Sequence, residues 1–217
     1  MIIQVYVNVK TMKKSLEKFQ DLVEVQYNKI ITDKLAKEVV KVLEDSDAIQ
    51  SNIKSKRHRR PWYKGTDISA GSKALVLFLL ESKISKDEIF IDYQGGNGVL
   101  CLYLNKLGYN TYFHDTDNAE AKHLLSYFGL ENKIIHDRSD IFSFNPSITV
   151  AIGVGCSLND EHGDPLTNIE SLKYIFLDKK YGGGSSRGGG WCLKTDVSKF
   201  SIIKKCSTFT LYKAMNI

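Results

Sequence analysis

The sequence has no apolar run long enough to cross a membrane. None of its 217 residues belong to a stretch approaching the ~18–20 consecutive apolar residues of a membrane span, and we expect no secretory signal. The four cysteines form no CxxC pair, and the five histidines show no metal-ligand spacing. These absences argue against structural zinc and favour a reducing compartment. We therefore expect a cytoplasmic protein with no metal site and no membrane partner.

Positive charge is scarce in the later part of the chain and concentrated in the earlier part. Residues 1–86 hold 17 Lys and Arg against 10 Asp and Glu, whereas residues 87–217 hold 13 against 15. The densest basic cluster is KSKRHRRPWYK, residues 54–64. Because basic side chains neutralise phosphates and aromatic rings stack on bases, the cluster favours RNA binding. A solvated basic loop is the alternative. The candidate RNA-binding residues here are Arg57, Arg59, Arg60, Trp62, Tyr63 and Lys64.

Internal repeats are also absent, and residues 1–66 differ in character from the remainder. MIIQVYVNV predicts a short strand, and two amphipathic patterns at 11–25 and 33–49 predict helices. Each of these helices should bury one apolar face. The apolar faces could pack on the sheet or on a second copy of the chain, so a homodimer is possible. We assign residues 1–66 to an N-terminal extension with a basic loop and residues 67–217 to the main domain, together one compact unit. The predicted faces are Met12, Leu16, Phe19, Leu22 and Val23, then Leu35, Val39, Val42 and Leu43.

Short apolar strands alternate with helices from residue 68 onwards. This order predicts an α/β fold with a mostly parallel sheet, helices on both faces and an antiparallel edge, because the last two strands lie too close for a helical crossover. The nine residues GGGSSRGGG, 182–190, predict a linker, with an RNA-covering or substrate-covering loop carrying Arg187 as the alternative. We predict helices at 69–84, 98–109, 119–130 and 166–181, and strands at 88–93, 110–117, 132–137, 147–155, 188–196 and 206–214.

The turn DYQGGNG, residues 92–98, lies between a predicted strand and a predicted helix. It lacks the G-x-G-x-x-G of dinucleotide sites and the GxxxxGK[ST] of triphosphate sites. Gly96 and Gly98 allow a ligand to approach the backbone closely, and Asp92 places a carboxylate at the strand end. The loop residues Gln94 and Gly95 complete the candidate site. Glycines that serve packing alone are the alternative.

Two further strands end in acids and predict the rest of the ligand site. Asp115 and Asp117 end the second strand, where a carboxylate can accept hydrogen bonds from both ribose hydroxyls of an adenosine. Asp137 ends the third strand and could accept a hydrogen bond from the adenine amino group, and Asp140 is an alternative residue for the same role. Acidic strand ends suit a cofactor that has an adenosine but no phosphates. S-adenosylmethionine, with its cationic sulfonium, meets this description.

At DYQGGNG, HDTD and IIHD, the chain resembles class I S-adenosylmethionine-dependent methyltransferases, whose first motif reads approximately D-x-G-x-G-x-G. Asp92, Gly96 and Gly98 match this motif, and Gln94 departs from it. The resemblance covers residues 68–217 and implies a Rossmann-like methyltransferase sheet. We expect Gln94→Gly to leave cofactor binding unchanged or to tighten it.

A narrower resemblance is to the nidovirus-type RNA cap ribose 2′-O-methyltransferases, which use a Lys-Asp-Lys-Glu tetrad. GSKALVLFLL supplies Lys73 and GGGWCLKTD supplies Lys194. The tetrad carboxylates have no match: the fourth predicted strand ends at Gly153–Gly155, and Phe209 or Thr210 lies where the glutamate is expected. Asp160 is the candidate for the aspartate; Glu161, Asp196 or a reduced catalytic set are the alternatives. The resemblance implies Lys194 as the base and Lys73 as its electrostatic partner. It also implies a capped viral RNA 5′ end as substrate, in the host cell cytoplasm.

Two other functions stay open. One is methylation of a different RNA or protein substrate; the absence of [DN]PP[YF] after the fourth predicted strand argues against methylation of the adenine amino group. The other is a catalytically silent module that binds RNA or cofactor.

Overall fold

A computed structural model describes residues 17–45, 66–116, 119–154, 158, 165–178 and 195–215. Several predictions lie outside these residues. They concern the strand MIIQVYVNV, the basic cluster at 54–64, the glycine-rich segment at 182–190 and nearly all of the predicted strand at 188–196. The candidate site residues outside the described part of the chain are Arg57, Arg59, Arg60, Trp62, Tyr63, Lys64, Asp117, Asp160, Arg187 and Lys194.

The described strands form one mixed sheet of six strands in the order β2-β1-β3-β4-β6-β5. Four strands, β1 to β4, run parallel to one another, whereas β6 is antiparallel to both β4 and β5. This arrangement confirms the predicted α/β class and its antiparallel edge. The strands are β1 (Ile89–Tyr93), β2 (Asn110–His114), β3 (Val150–Gly153), β4 (Tyr174–Asp178), β5 (Phe200–Lys205) and β6 (Phe209–Ala214).

The strand order reverses at β1. The chain passes from β1 to β2 on one side and later enters β3 on the other side of β1. In open α/β sheets, such a switch point leaves a crevice outside the carboxyl ends of the two flanking strands, and ligands bind there. The connection after β1 is the glycine turn at 92–98, so the topology places that turn at the crevice.

Six α-helices surround the sheet within the described residues. The helix at 33–44 begins where the Thr32 Oγ1 accepts a hydrogen bond from the Leu35 N–H at 3.3 Å, which is the N-cap expected of threonine. No described helix is both long and apolar enough to cross a membrane. The helices are α1 (17–30), α2 (Asp33–Glu44), α3 (Thr66–Glu81), α4 (Val99–Lys106), α5 (Ala119–Tyr127) and α6 (Arg138–Phe142).

Alternate residues of each interior strand enter two separate apolar layers. In β1, Phe90 packs in a first layer with side chains from α1 to α5, whereas Ile91 packs in a second layer with Ile141 of α6. This alternation is the period of two that a strand imposes on its side chains. Because Val23 and Tyr27 of α1 belong to the first layer, the described N-terminal helices share the core of the sheet.

The predicted helix at 166–181 is wrong. The structure has a 3-10 turn at Leu166–Asn168 and then strand β4 at Tyr174–Asp178. Four of the five β4 residues are buried, since the strand lies between β3 and β6. A short apolar run that is buried on both faces has no alternation, so periodicity alone does not distinguish it from a buried helix.

Other predicted elements differ in extent or position. The predicted strand at 132–137 is reduced to a single parallel bridge between Phe113 and Ile134. Strand β5 was not predicted, and its residues 201–203 are exposed. In α1, Leu22 was expected to be buried but is 67% exposed, because the buried face follows Val23 and Tyr27 instead.

Candidate functional site

A cleft of about 190 Å³ opens at the switch point. Its walls come from three places: the glycine turn with the start of α4, the inner side of α3, and the residue that follows β3. Ligand crevices of α/β sheets are built from these same kinds of segments. The described residues that line the cleft are Ser72, Leu75, Asp92, Gln94, Gly95, Gly96, Asn97, Leu100 and Val154.

The glycine turn repeatedly enters the left-handed backbone region. Gln94, Gly96 and Gly98 have φ angles of 52°, 62° and 76°. Glycine adopts these angles without steric cost, whereas a residue with a Cβ is strained there. Packing also requires that residue 98 have no side chain, because a Cβ on Gly98 would lie 3.1 Å from the Ala121 Cβ of α5. Gln94 is therefore the residue that departs both from the motif and from the backbone preference.

Asp92 is the buried carboxyl of the cleft. The residue is 1% exposed, and its Oδ2 has no hydrogen-bond partner. Burial raises the pKa of the Asp92 carboxyl from 3.8 to about 7; a hydrogen bond from the backbone N–H of Cys101 opposes this rise, and the charge of Asp115 adds to it. A buried polar atom without a partner is rare in proteins and commonly marks a functional site.

Gly95 lies directly against the Asp92 carboxyl. A Cβ built on Gly95 would lie 2.5 Å from Asp92 Oδ2 and 2.8 Å from Phe113 Cε2. A Cβ does not approach nonbonded atoms so closely unless they are displaced. The sequence predicted that glycines here admit a ligand; the structure shows that Gly95 is needed to admit the protein's own carboxyl.

Asp115 connects the glycine turn to the end of β2. Its Oδ2 accepts a hydrogen bond from the Gly96 N–H at 2.8 Å, and the His114 carbonyl accepts one from the Gly95 N–H at 3.4 Å. The predicted neighbourhood of Asp92, the glycine turn and Asp115 is thus present. The ribose-binding role of Asp115 stays a prediction.

Asp137 acts as the N-cap of α6. Its Oδ1 accepts hydrogen bonds from the Ser139 N–H at 2.8 Å and from the Ser139 Oγ at 2.7 Å, which lower the pKa of the Asp137 carboxyl. The residue is exposed and does not line the cleft. Its helix-capping contacts explain an acid at this position without a ligand, and its adenine-binding role stays a prediction.

Lys73 extends from α3 towards α1. Its Nζ lies 2.7 Å from Glu24 Oε1 and 3.5 Å from Asn28 Oδ1, and 5.5 Å from the centre of the Tyr27 ring. The neighbouring Ser72 lines the cleft, whereas Lys73 does not. The structure therefore gives Lys73 an ion pair between helices, and its catalytic role stays a prediction.

Sequence reasoning missed several cleft residues. Ser72 and Leu75 come from α3, and a helical projection of α3 around Lys73 could have indicated them. Val154 follows β3, and the rule that ligands bind beyond the carboxyl ends of strands at a switch point could have predicted it. Asn97 lies within the motif as its variable position, and its Oδ1 accepts a hydrogen bond from the Val99 N–H at 3.2 Å at the start of α4.

No protein-family model matches the chain, and the search of curated proteins found no match. Among solved structures, the chain is similar to a protein of the NADB-Rossmann superfamily from Streptococcus agalactiae, with 14% identity over 64% of this chain and 68% of that one and a TM-score of 0.43. A mutant of MtNAS in complex with S-adenosylmethionine is similar with 11% identity over 90% of this chain and 77% of that one, and the TM-score is 0.47. An rRNA methylase from Streptococcus thermophilus is similar with 18% identity over 73% of this chain and 99% of that one, and the TM-score is 0.41. The ligand and the reaction are therefore proposed below from the residues of this chain.

Proposed function

We propose that this chain is an S-adenosylmethionine-dependent methyltransferase that binds its cofactor in the cleft at the switch point. The observation that carries the proposal is the buried Asp92, which lines the cleft beside a glycine turn in left-handed conformation. Such a turn permits close approach of a ligand, and the N-terminus of α4 directly follows it.

The charge of the cleft supports this choice of cofactor over a nucleotide phosphate. Among the described lining residues there is no Lys, Arg or His, and the ionisable side chain is Asp92. Phosphate groups are normally held by basic side chains as well as by backbone N–H groups. A cleft whose described ionisable side chain is a carboxyl suits a ligand with a sulfonium and an ammonium group. The residues that would hold this ligand are Asp92, Gln94, Gly95 and Gly96, with Asp115 at the adenosine end.

S-adenosylmethionine supplies an electrophilic methyl group on a cationic sulfur. The chain must then hold an acceptor in line with that methyl group, exclude water and remove the acceptor's proton. Alignment of this kind supplies a large share of the rate gain in group transfer. Val154, which follows β3, lines the cleft and is exposed, so we propose that an acceptor approaches beside it.

The acceptor that we propose is the ribose 2′-O of a capped viral RNA 5′ end. Its support is the sequence resemblance, with Lys194 as the base, Lys73 as its electrostatic partner and Asp160 in place of the tetrad aspartate. A ribose hydroxyl is a weak acid, so a nearby base must accept its proton as the O–CH₃ bond forms and the S–CH₃ bond breaks. The basic cluster at 54–64 would hold the RNA backbone.

A second candidate is methylation of another RNA or protein acceptor, or binding without transfer. One observation favours it: Lys73 is already paired with Glu24 at 2.7 Å and lies outside the cleft lining. In this alternative, Lys73 joins α1 to α3 and has no part in activating an acceptor.

A transfer assay separates these functions. The protein is incubated with methyl-labelled S-adenosylmethionine and with short RNAs that are capped, uncapped or capped and already 2′-O-methylated. We expect label on the capped RNA and none on the pre-methylated RNA. Label on both capped RNAs would contradict the 2′-O acceptor, and cofactor binding without label on any RNA would favour the silent module.

A matched pair of variants then tests the role of Lys73. Lys73→Ala and Glu24→Ala remove the same ion pair from opposite ends. If Lys73 acts on the acceptor, only Lys73→Ala abolishes transfer. If both variants retain wild-type transfer, the catalytic role of Lys73 is wrong.

A further inference from the structure

We propose that Asp92 loses a proton when a cationic ligand enters the cleft, so that the carboxyl is neutral in the empty site and ionised in the occupied one. The O–H bond of the carboxyl breaks, the proton passes to solvent or buffer, and the carboxylate faces the cation of the ligand. This inference rests on the proposed function, because it takes S-adenosylmethionine as the cation.

The geometry leaves one carboxyl oxygen of Asp92 without a partner in a residue that lines the cleft. Asp92 Oδ2 is buried, makes no hydrogen bond and lies beneath Gly95, while the Asp92 residue lines the cleft. A charged oxygen in that position would lose its hydration without compensation, which is costly. A proton on the carboxyl removes that cost in the empty site.

Of the groups around Asp92, Asp115 favours the neutral form of the carboxyl, whereas the Cys101 backbone N–H favours the ionised form. Asp115, at the end of β2, raises the pKa of Asp92 through its negative charge. Cys101 of α4 donates a backbone hydrogen bond to the carboxyl, and its own thiol pKa is raised by burial and by Asp92. On β2, His114 stacks on Tyr93, which follows Asp92 in β1, and its Nδ1 contacts the Ile135 carbonyl at 3.0 Å. No described cation is among the groups that shift the pKa of this carboxyl.

A bound cation reverses this balance. An opposite charge within about 4–6 Å favours the ionised form of a carboxyl, and a site closed off from water strengthens the attraction. Because ligand binding and ionisation of Asp92 are linked, the affinity depends on pH. Below pH 7, binding must expel a proton, so the affinity for a cationic ligand weakens as the pH falls. Above pH 7, the carboxyl is already ionised and this dependence ends.

Isothermal titration calorimetry of the full chain with S-adenosylmethionine tests the proposal. Titrations at pH 6 in buffers with different ionisation enthalpies count the protons released, and we expect about one per ligand, since a group with a pKa of about 7 is then mostly protonated. Between pH 7 and pH 5.5, the Kd should rise roughly tenfold. The α-amino group of the ligand stays protonated in this range, because its ordinary pKa is about 7.7–8.0.

Two variants assign the proton to Asp92. Asp92→Asn keeps the shape of the side chain, and it should bind more weakly at pH 7 with no proton release. Asp115→Asn keeps an oxygen that can accept from the Gly96 N–H but removes the neighbouring charge. Its midpoint in the plot of affinity against pH should move to lower pH. If Asp92→Asn still released one proton, the titrating group would be another, and the proposal would be overturned.

The two proposals fail in different ways. No binding of S-adenosylmethionine by the wild-type chain at any pH would refute the proposed cofactor. Binding without proton release, and with a Kd independent of pH from 5.5 to 7, would refute the proton linkage while leaving the cofactor in place. S-adenosylhomocysteine, which keeps the ammonium but lacks the sulfonium, identifies the cation: equal proton release assigns the ammonium, and loss of release assigns the sulfonium.

Discussion

At the scale of single residues, Asp92 couples the stability of the empty protein to pH. Its raised pKa contributes stability that is fully present below pH 3.8 and is lost as the pH rises through about 7. We therefore predict that Asp92→Asn raises the free energy of unfolding at pH 8, by up to roughly 4 kcal/mol at about 1.4 kcal/mol per pKa unit. At pH 4, the gain should be small.

Guanidinium unfolding of the ligand-free protein at both pH values measures this effect. Asp87→Asn is the control, because Asp87 is an exposed carboxyl outside the cleft. An equal effect of Asp92→Asn at pH 4 and pH 8 would show that packing, and not the charge, is responsible.

Gln94 gives a second prediction at this scale. Its φ of 52° costs a residue with a Cβ roughly 1 kcal/mol relative to glycine, so Gln94→Gly should raise the melting temperature by about 2–4 °C. We expect cofactor affinity to be unchanged or tighter. Lys83→Gly is the control, since Lys83 has a similar φ of 54° outside the cleft. A large loss of affinity in Gln94→Gly alone would show that the carboxamide itself contacts the ligand.

At the scale of elements, the glycine turn is constrained by Asp92 as much as by any ligand. Gly95→Ala would place a methyl group 2.5 Å from the Asp92 carboxyl, and relief of that contact should cost roughly 1–3 kcal/mol and weaken ligand binding at least tenfold. Gly129→Ala is the control. It introduces strain at a φ of 72° with no neighbour within 4 Å, and Gly129 is not a lining residue of the cleft. Chemical unfolding and ligand titration of both variants check this; unchanged affinity in Gly95→Ala would contradict it.

The contact between α1 and α3 belongs to the same scale. The Lys73–Glu24 pair is partly exposed, with side-chain exposures of 33% and 52%. A double-mutant cycle with Lys73→Ala and Glu24→Ala should therefore yield a coupling of only about 0.2–1 kcal/mol. A coupling near zero would mean that the Tyr27 contact and apolar packing hold α1 in place without the ion pair.

At the scale of the whole molecule, ligand binding should stabilise the fold selectively. A ligand at 100 times its Kd adds about 2.7 kcal/mol to the free energy of unfolding. We predict that S-adenosylmethionine raises the melting temperature at pH 7.5, whereas ATP does not, because no described lining residue offers a basic partner for its phosphates. Differential scanning fluorimetry provides the measurement, and a larger shift with ATP would exclude the proposed cofactor.

Local patterns in the sequence determined most of the elements. Short apolar runs predicted β1, β2, β3 and β6, helical spacing predicted parts of α1 and α2, and the apolar segments between the strands predicted α3 to α5. The glycine turn predicted the site, because each of these signals lies within about ten consecutive residues. The run in β4 was assigned to a helix because a strand buried on both faces carries no alternation.

Contacts between distant residues were decided by the tertiary structure alone. The sequence could not show that Glu24 pairs with Lys73, that Ser139 engages Asp137, or that Leu22 faces solvent. Nor could it show the ionisation of Asp92, since the spacing of Asp92, Gly95 and Asp115 predicts a shared site but not the burial of one carboxyl oxygen. Motif spacing is a property of the chain, whereas desolvation and charge pairing arise only when separate segments pack together.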